Sequence, residues 1–129
     1  MAAIHALIID DQSLNVTVLA NLLTKEGVTH TDLLDPLQVT DTLNGLSALD
    51  IVFLDLEMPG ANGYDVLKIL QADPRFNNVP VVAYTVHVSE LNTAYHLGFH
   101  SLLAKPIDPD LFPAQLASIL GGEHVWRRN

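Results

Sequence analysis

Residues Ile51-Val52-Phe53-Leu54-Asp55 place four consecutive large apolar side chains directly before a carboxylate. A run of this length, with no polar alternation and rich in β-branched and aromatic residues, reads as a strand covered on both faces, as in a parallel sheet. Similar runs stand at Ile4–Ile9, Val81–Tyr84 and Leu102–Ala104, with Thr31–Leu34 as a weaker one. Segments of helical period separate them. In the first, Asn15, Val18, Leu19, Leu22 and Leu23 follow an i, i+3, i+4, i+7, i+8 stripe that stops at Gly27, which leaves Leu14 and Val16 on its flanks. Asp35-Pro36 predicts the cap and first turn of a second helix ending near Asn44-Gly45. Asn62-Gly63 opens a third, closed by Asp73-Pro74. Ser89, Glu90 and Asn92 start a fourth that stops at Gly98, and Asp108-Pro109 opens a fifth that ends at Gly121-Gly122.

The order is a strand and a helix, five times over. Such alternation implies a parallel sheet with helices on both faces, joined by right-handed crossovers. Five strands favour a flavodoxin-like (βα)5 doubly wound α/β sheet of strand order 2-1-3-4-5, since a closed barrel needs eight strands and roughly 250 residues. The domain is expected over residues 3–120, with residues 121–129, including Trp126 and Arg127-Arg128, as a C-terminal tail.

Composition narrows the function. The chain has 129 residues, 49% hydrophobic and 16% charged, which fits one packed domain. Fifteen acidic against six basic residues give a net charge of −9. That balance argues against nucleic acid as a partner, because phosphate affinity rests on clustered cations. There is no cysteine, hence no disulfide framework or thiolate metal site. No cationic leader or stretch of ~18 apolar residues is present, so neither a signal peptide nor a membrane partner is expected. A soluble, cytoplasmic protein is the expectation.

In a doubly wound sheet, ligands bind outside the carboxyl ends of the strands, near the reversal of strand order. The first strand ends in Asp10-Asp11, the third in Asp55, the fourth in Thr85 and the fifth in Lys105. The first and third flank the reversal, so three carboxylates converge there. Crowded carboxylates repel and call for a cation, and an all-oxygen set suits Mg²⁺. A hydroxyl and a lysine opposite them suit a phosphoryl group, which a carboxylate can itself accept. Asp55, on a turn shaped by Met58-Pro59-Gly60, is the candidate acceptor.

Asp10-Asp11, Asp55 within Phe-Leu-Asp-Leu-Glu-Met-Pro-Gly, Thr85, and Lys105-Pro106 together resemble the signature of two-component response-regulator receiver domains, over residues 4–120. The resemblance implies a signalling domain rather than an enzyme. Asp55 would take a phosphoryl group from a phosphohistidine on a histidine kinase or histidine phosphotransfer protein. Asp11, Asp55 and the Glu57 backbone carbonyl would bind Mg²⁺ directly, with Asp10 acting through water, while Lys105 and Thr85 contact phosphoryl oxygens. The Lys105-Pro106 bond is expected to be cis, and output to pass by protein contact or phosphorelay to a downstream partner in a stand-alone regulator. Leu14 and Val16 lie on the face through which such domains dock their donor.

The chain also departs from the pattern. Leu102 stands where receivers usually carry a switching Tyr or Phe. Val86 replaces a usually small residue and is expected to narrow access. Glu57 and His87, two residues past Asp55 and Thr85, lie where receivers tune the attack of water. Tyr84 and Phe99 read as core, and His96 and His100, separated by Gly98, as loop histidines rather than a metal pair. Two other readings stay open: a pseudo-receiver that binds partners without phosphorylation, and a Mg²⁺-dependent phosphohydrolase using Asp55 as nucleophile and Glu57 as general acid/base. A flavin carrier is disfavoured, because Asp10-Asp11 would repel its phosphate.

Overall fold

Backbone pairing gathers the apolar runs into one parallel sheet. The computed structural model describes residues 3–127 apart from residue 59. Pro59 of the expected turn and Arg128 of the expected tail lie outside the described residues. The strands of this sheet are β1 (His5–Ile9), β2 (Thr29–Leu33), β3 (Ile51–Asp55), β4 (Val81–Thr85), β5 (Ser101–Ala104) and β6 (Trp126–Arg127), in the order β2-β1-β3-β4-β5-β6, and Glu57–Met58 pairs antiparallel with Ala61–Asn62 in a separate hairpin. The first five reproduce the expected 2-1-3-4-5 arrangement. The helices are α1 (Ser13–Lys25), α2 (Val39–Asn44, after a 3-10 turn at Pro36–Gln38), α3 (Gly63–Ala72), α4 (Leu91–Leu97) and α5 (Phe112–Leu120).

Alternate strand residues serve two separate cores. Ala6, Ile8, Phe53, Val82 and Tyr84 pack against Leu19 and Leu23 of α1 and Leu116 and Ile119 of α5. Leu7, Ile9, Val52, Leu54 and Leu102 pack against α2, α3 and α4, through Leu43, Val66, Leu70 and Ala94. With both faces of β1, β3, β4 and β5 covered, these strands have no solvent-facing side to carry polar residues, and this explains their unbroken apolar runs. Among the described residues, no helix is long and apolar enough to cross a membrane.

Three expectations need correction. In α1 the buried stripe is Val16, Leu19, Ala20 and Leu23, and Val18 is 48% exposed. Val16 is therefore a core residue, only 5% exposed, and is not available for docking. The stripe through Asn15 would have put an amide against the sheet, and the small Ala20 completes the alternative i, i+3, i+4, i+7 set. Secondly, α5 starts at Phe112, not at Pro109. The Asp108 carboxylate accepts the Asp110 N–H at 2.9 Å and its carbonyl accepts the Leu111 N–H at 3.2 Å, which closes a separate turn first.

Thirdly, residues 121–127 are not a tail apart from the domain. The Leu102 N–H donates to the Val125 carbonyl at 2.8 Å, and the Val125 N–H donates to Ser101 Oγ at 2.9 Å. Trp126 pairs with Leu102 in register and sets its ring edge-on to Tyr95, 5.4 Å between centroids. The sheet therefore has a sixth strand covering the β5 edge.

Candidate functional site

Register delivers the acids to one place. Ile9 of β1 pairs with Leu54 of β3, so the residues next after this pair, Asp10 and Asp55, emerge side by side. Ligand oxygens of Asp10, Asp11 and Asp55 all lie within 4.8 Å of one another. Asp10 is fully buried. Its Oδ1 accepts the Gln12 N–H at 2.9 Å, and its Oδ2 accepts the Tyr84 hydroxyl at 2.7 Å and the Lys105 ammonium at 3.3 Å. Asp55 Oδ1 accepts the Glu57 N–H at 3.2 Å and stands 3.2 Å from Lys105 Nζ. Lys105 thus bridges two carboxylates, and the Lys105-Pro106 peptide is cis, as expected.

Asp11 differs from its neighbours. Its Oδ1 is buried and has no hydrogen-bond donor. A buried carboxylate oxygen without a donor is costly, and a bound cation would satisfy it. Three carboxylates and one ammonium also leave two negative charges, which one divalent ion balances. The all-oxygen donor set fits Mg²⁺. Burial pushes the Asp55 carboxyl up to about 6, against the downward pull of Lys105 and the Glu57 N–H, and Asp10 adds to the rise. Burial also holds the Tyr84 phenol far above its ordinary value, reinforced by Asp10, so the group stays a donor.

Thr85 is buried opposite the acids at the end of β4. Its hydroxyl donates to Glu57 Oε1 at 3.0 Å and accepts the His87 N–H at 2.9 Å. Glu57 Oε2 lies 2.9 Å from His87 Nε2, so Glu57 spans from the Asp55 turn to the loop after Thr85. Val86, next after Thr85, is 60% exposed. Leu102 is fully buried on the side of α2, α3 and α4. Leu14 is 74% exposed and lines a small recess with Val18, Lys105 and Ile107.

Two features escape a reading of the sequence. Tyr84 belongs to the core by its ring but reaches the acids by its hydroxyl; its polar tip near the end of a strand was the available signal. The Glu57 side chain engages Thr85, a pairing across 28 positions that no local pattern announces. His96 lies in α4 and not in a loop, while His100 follows Gly98 outside the helix. His100 stacks on His124, 4.2 Å between ring centroids, at the amino end of β5 and away from the acids.

Fold and site define a doubly wound α/β domain with an acid-and-lysine pocket at its topological switch point. The model of the response regulator receiver domain matches residues 6–117. Chemotaxis protein CheY1 of Helicobacter pylori is 28% identical over 120 residues, covering 89% of this chain and 95% of its own length. A CheY-like receiver domain from Methylobacillus flagellatus superposes with a TM-score of 0.80 at 27% identity, over 92% of this chain and 99% of its own. The receiver domain of a Pseudomonas aeruginosa sensor histidine kinase, with a magnesium ion coordinated in its active site cleft, gives 0.82 at 23% identity, over 94% of this chain and 100% of its own. The chain belongs to the response regulator receiver domain family, whose members are signalling domains of two-component systems.

Proposed function

We propose that Asp55 accepts a phosphoryl group from a phosphohistidine donor in a Mg²⁺-dependent reaction, and that the phosphorylated chain signals by protein contact or passes the group onward. The observation that carries this reading is the meeting of three carboxylates within 4.8 Å, with Lys105 Nζ 3.2 Å from Asp55. Asp11 and Asp55, with the Glu57 carbonyl, would hold the ion, and Asp10 would reach it through water. Bound there, Mg²⁺ supplies neutralisation of the charge on the phosphoryl oxygens. The Asp55 carboxylate attacks phosphorus, and the P–N bond breaks. Its electron pair returns to the imidazole, which takes up a proton, and an aspartyl phosphate remains. Lys105 is placed to hold one phosphoryl oxygen as a point charge. The Thr85 hydroxyl exchanges Glu57 Oε1 for another.

A histidine kinase or histidine phosphotransfer protein is the donor on this reading, and exposed Leu14 is a docking contact beside the site. Glu57 faces Thr85 and His87, which suits control of water at an aspartyl phosphate better than a general acid for ester hydrolysis. Incubation with Mg²⁺ and acetyl phosphate, read by intact mass, tests the proposal. One phosphoryl mass is expected on the native chain and none on Asp55→Asn. An unlabelled native chain would point to a binding module, and rapid turnover of many phosphate esters to a hydrolase.

A further inference from the structure

Tyr84 lies with its ring in the layer between the sheet and α1 and α5, and its hydroxyl among the acids. The hydroxyl donates to Asp10 Oδ2 at 2.7 Å, and the ring face lies 4.4 Å from Lys105 Nζ. Asp10 Oδ2 is thus shared between a phenol and an ammonium, while Oδ1 is held by the Gln12 N–H. Both oxygens of Asp10 are engaged within the protein, whereas Asp11 Oδ1 has no donor.

We infer that Tyr84 is a positioning residue that keeps Asp10 out of the inner coordination sphere, so that the ion is taken by Asp11 and Asp55 and meets Asp10 only through water. This rests on the metal-dependent reading above. For Asp10 to turn an oxygen onto the ion, it must surrender a short hydrogen bond and leave a phenol O–H buried without an acceptor. A buried donor without an acceptor is penalised in full. The same tyrosine also sets the place of Lys105, because its ring supports the ammonium from one side while its hydroxyl fixes the carboxylate that the ammonium bridges. The consequence is an ion held more loosely than three direct carboxylates would hold it, hence one that exchanges readily.

Tyr84→Phe keeps the ring under Lys105 and removes only the hydroxyl. Titration calorimetry at pH 8, with Mg²⁺ alone, should show binding about three- to tenfold tighter than in the native protein, the size of one typical net hydrogen bond. With Mn²⁺ as the probe, water proton relaxation should fall, as Asp10 displaces a bound water. Both effects should vanish in the Asp10→Asn background, since Tyr84 acts through that carboxylate. General damage to the site would instead weaken binding. Unchanged or weaker affinity in a folded Tyr84→Phe, or equal tightening with Asp10→Asn present, overturns the role of Tyr84 while leaving the metal site standing. A native chain that binds no Mg²⁺ overturns the metal-dependent reading and the inference with it.

Discussion

Asp55 carries its charge in surroundings that resist it: buried, beside Asp10, and eased by Lys105 and one backbone N–H. Removing that charge is expected to stabilise the metal-free protein. Asp55→Asn should raise the midpoint of thermal unfolding in EDTA, by about 1 kcal/mol in free energy, because one of three crowded carboxylates goes. With saturating Mg²⁺ the order should reverse, since the native site gains a ligand that the variant has lost. Lys105→Met has the opposite sign in EDTA. It leaves Asp10 and Asp55 without their shared cation, and a loss of about 3 kcal/mol is expected. Equal effects of the two substitutions would refute the electrostatic account of this site. The acids, Thr85 and Lys105 were legible because each ends a recognisable strand. The Tyr84 hydroxyl was not, because its partner is 74 positions away and the register that joins them is decided only by folding.

Among the elements, α3 shows how a helix start can set a site. Asn62 Oδ1 accepts the Tyr64 N–H at 2.8 Å, the cap that the Asn-Gly pair announced. Gly63 follows because nothing larger fits. A Cβ there would lie 2.8 Å from the Asp55 carbonyl oxygen and 2.9 Å from Leu56 Cα, both backbone atoms that cannot swing aside. Gly63→Ala should therefore push the helix off the Asp55 turn. A destabilisation of about 1–3 kcal/mol is expected, together with slower labelling of Asp55 by acetyl phosphate. Labelling at the native rate would show that this contact does not hold the turn. The phase of α1 was harder to read. Leu14, Val16, Val18, Leu19, Ala20, Leu22 and Leu23 surround much of that helix with apolar side chains, so two stripes competed and packing against Ala6 and Ile8 selected one. Caps are local chemistry and can be read from a few residues. The face a helix buries depends on what it meets.

At the scale of the molecule, the sixth strand is the feature that no periodicity announced, since it is two residues long and follows a Gly-Gly pair. Its anchor is a set of polar contacts around two histidines. Ser101 Oγ accepts the Val125 N–H and stands 2.9 Å from His100 Nδ1, while His124 Nδ1 lies 2.7 Å from the His100 carbonyl oxygen. The two rings stack at 25° on one wall of a cleft of about 740 Å³ that His96, Tyr95 and Trp126 also line. Burial and the neighbouring His124 hold His100 below the ordinary histidine value, so the closed arrangement favours the neutral ring. Above about 6.5 both closed and released forms are neutral and the strand keeps its full hold. As pH falls below that value the released form binds a proton first, and the hold weakens until the closed form is protonated too. Trp126 is the single tryptophan and sits in the strand itself, so its emission reports the event directly. Acidification from pH 7.5 to 5 should shift that emission to the red in the native chain and much less in His100→Gln, where the group that charges is gone. An identical shift in both would mean that the sheet edge opens, if at all, for a reason unconnected with the stacked pair.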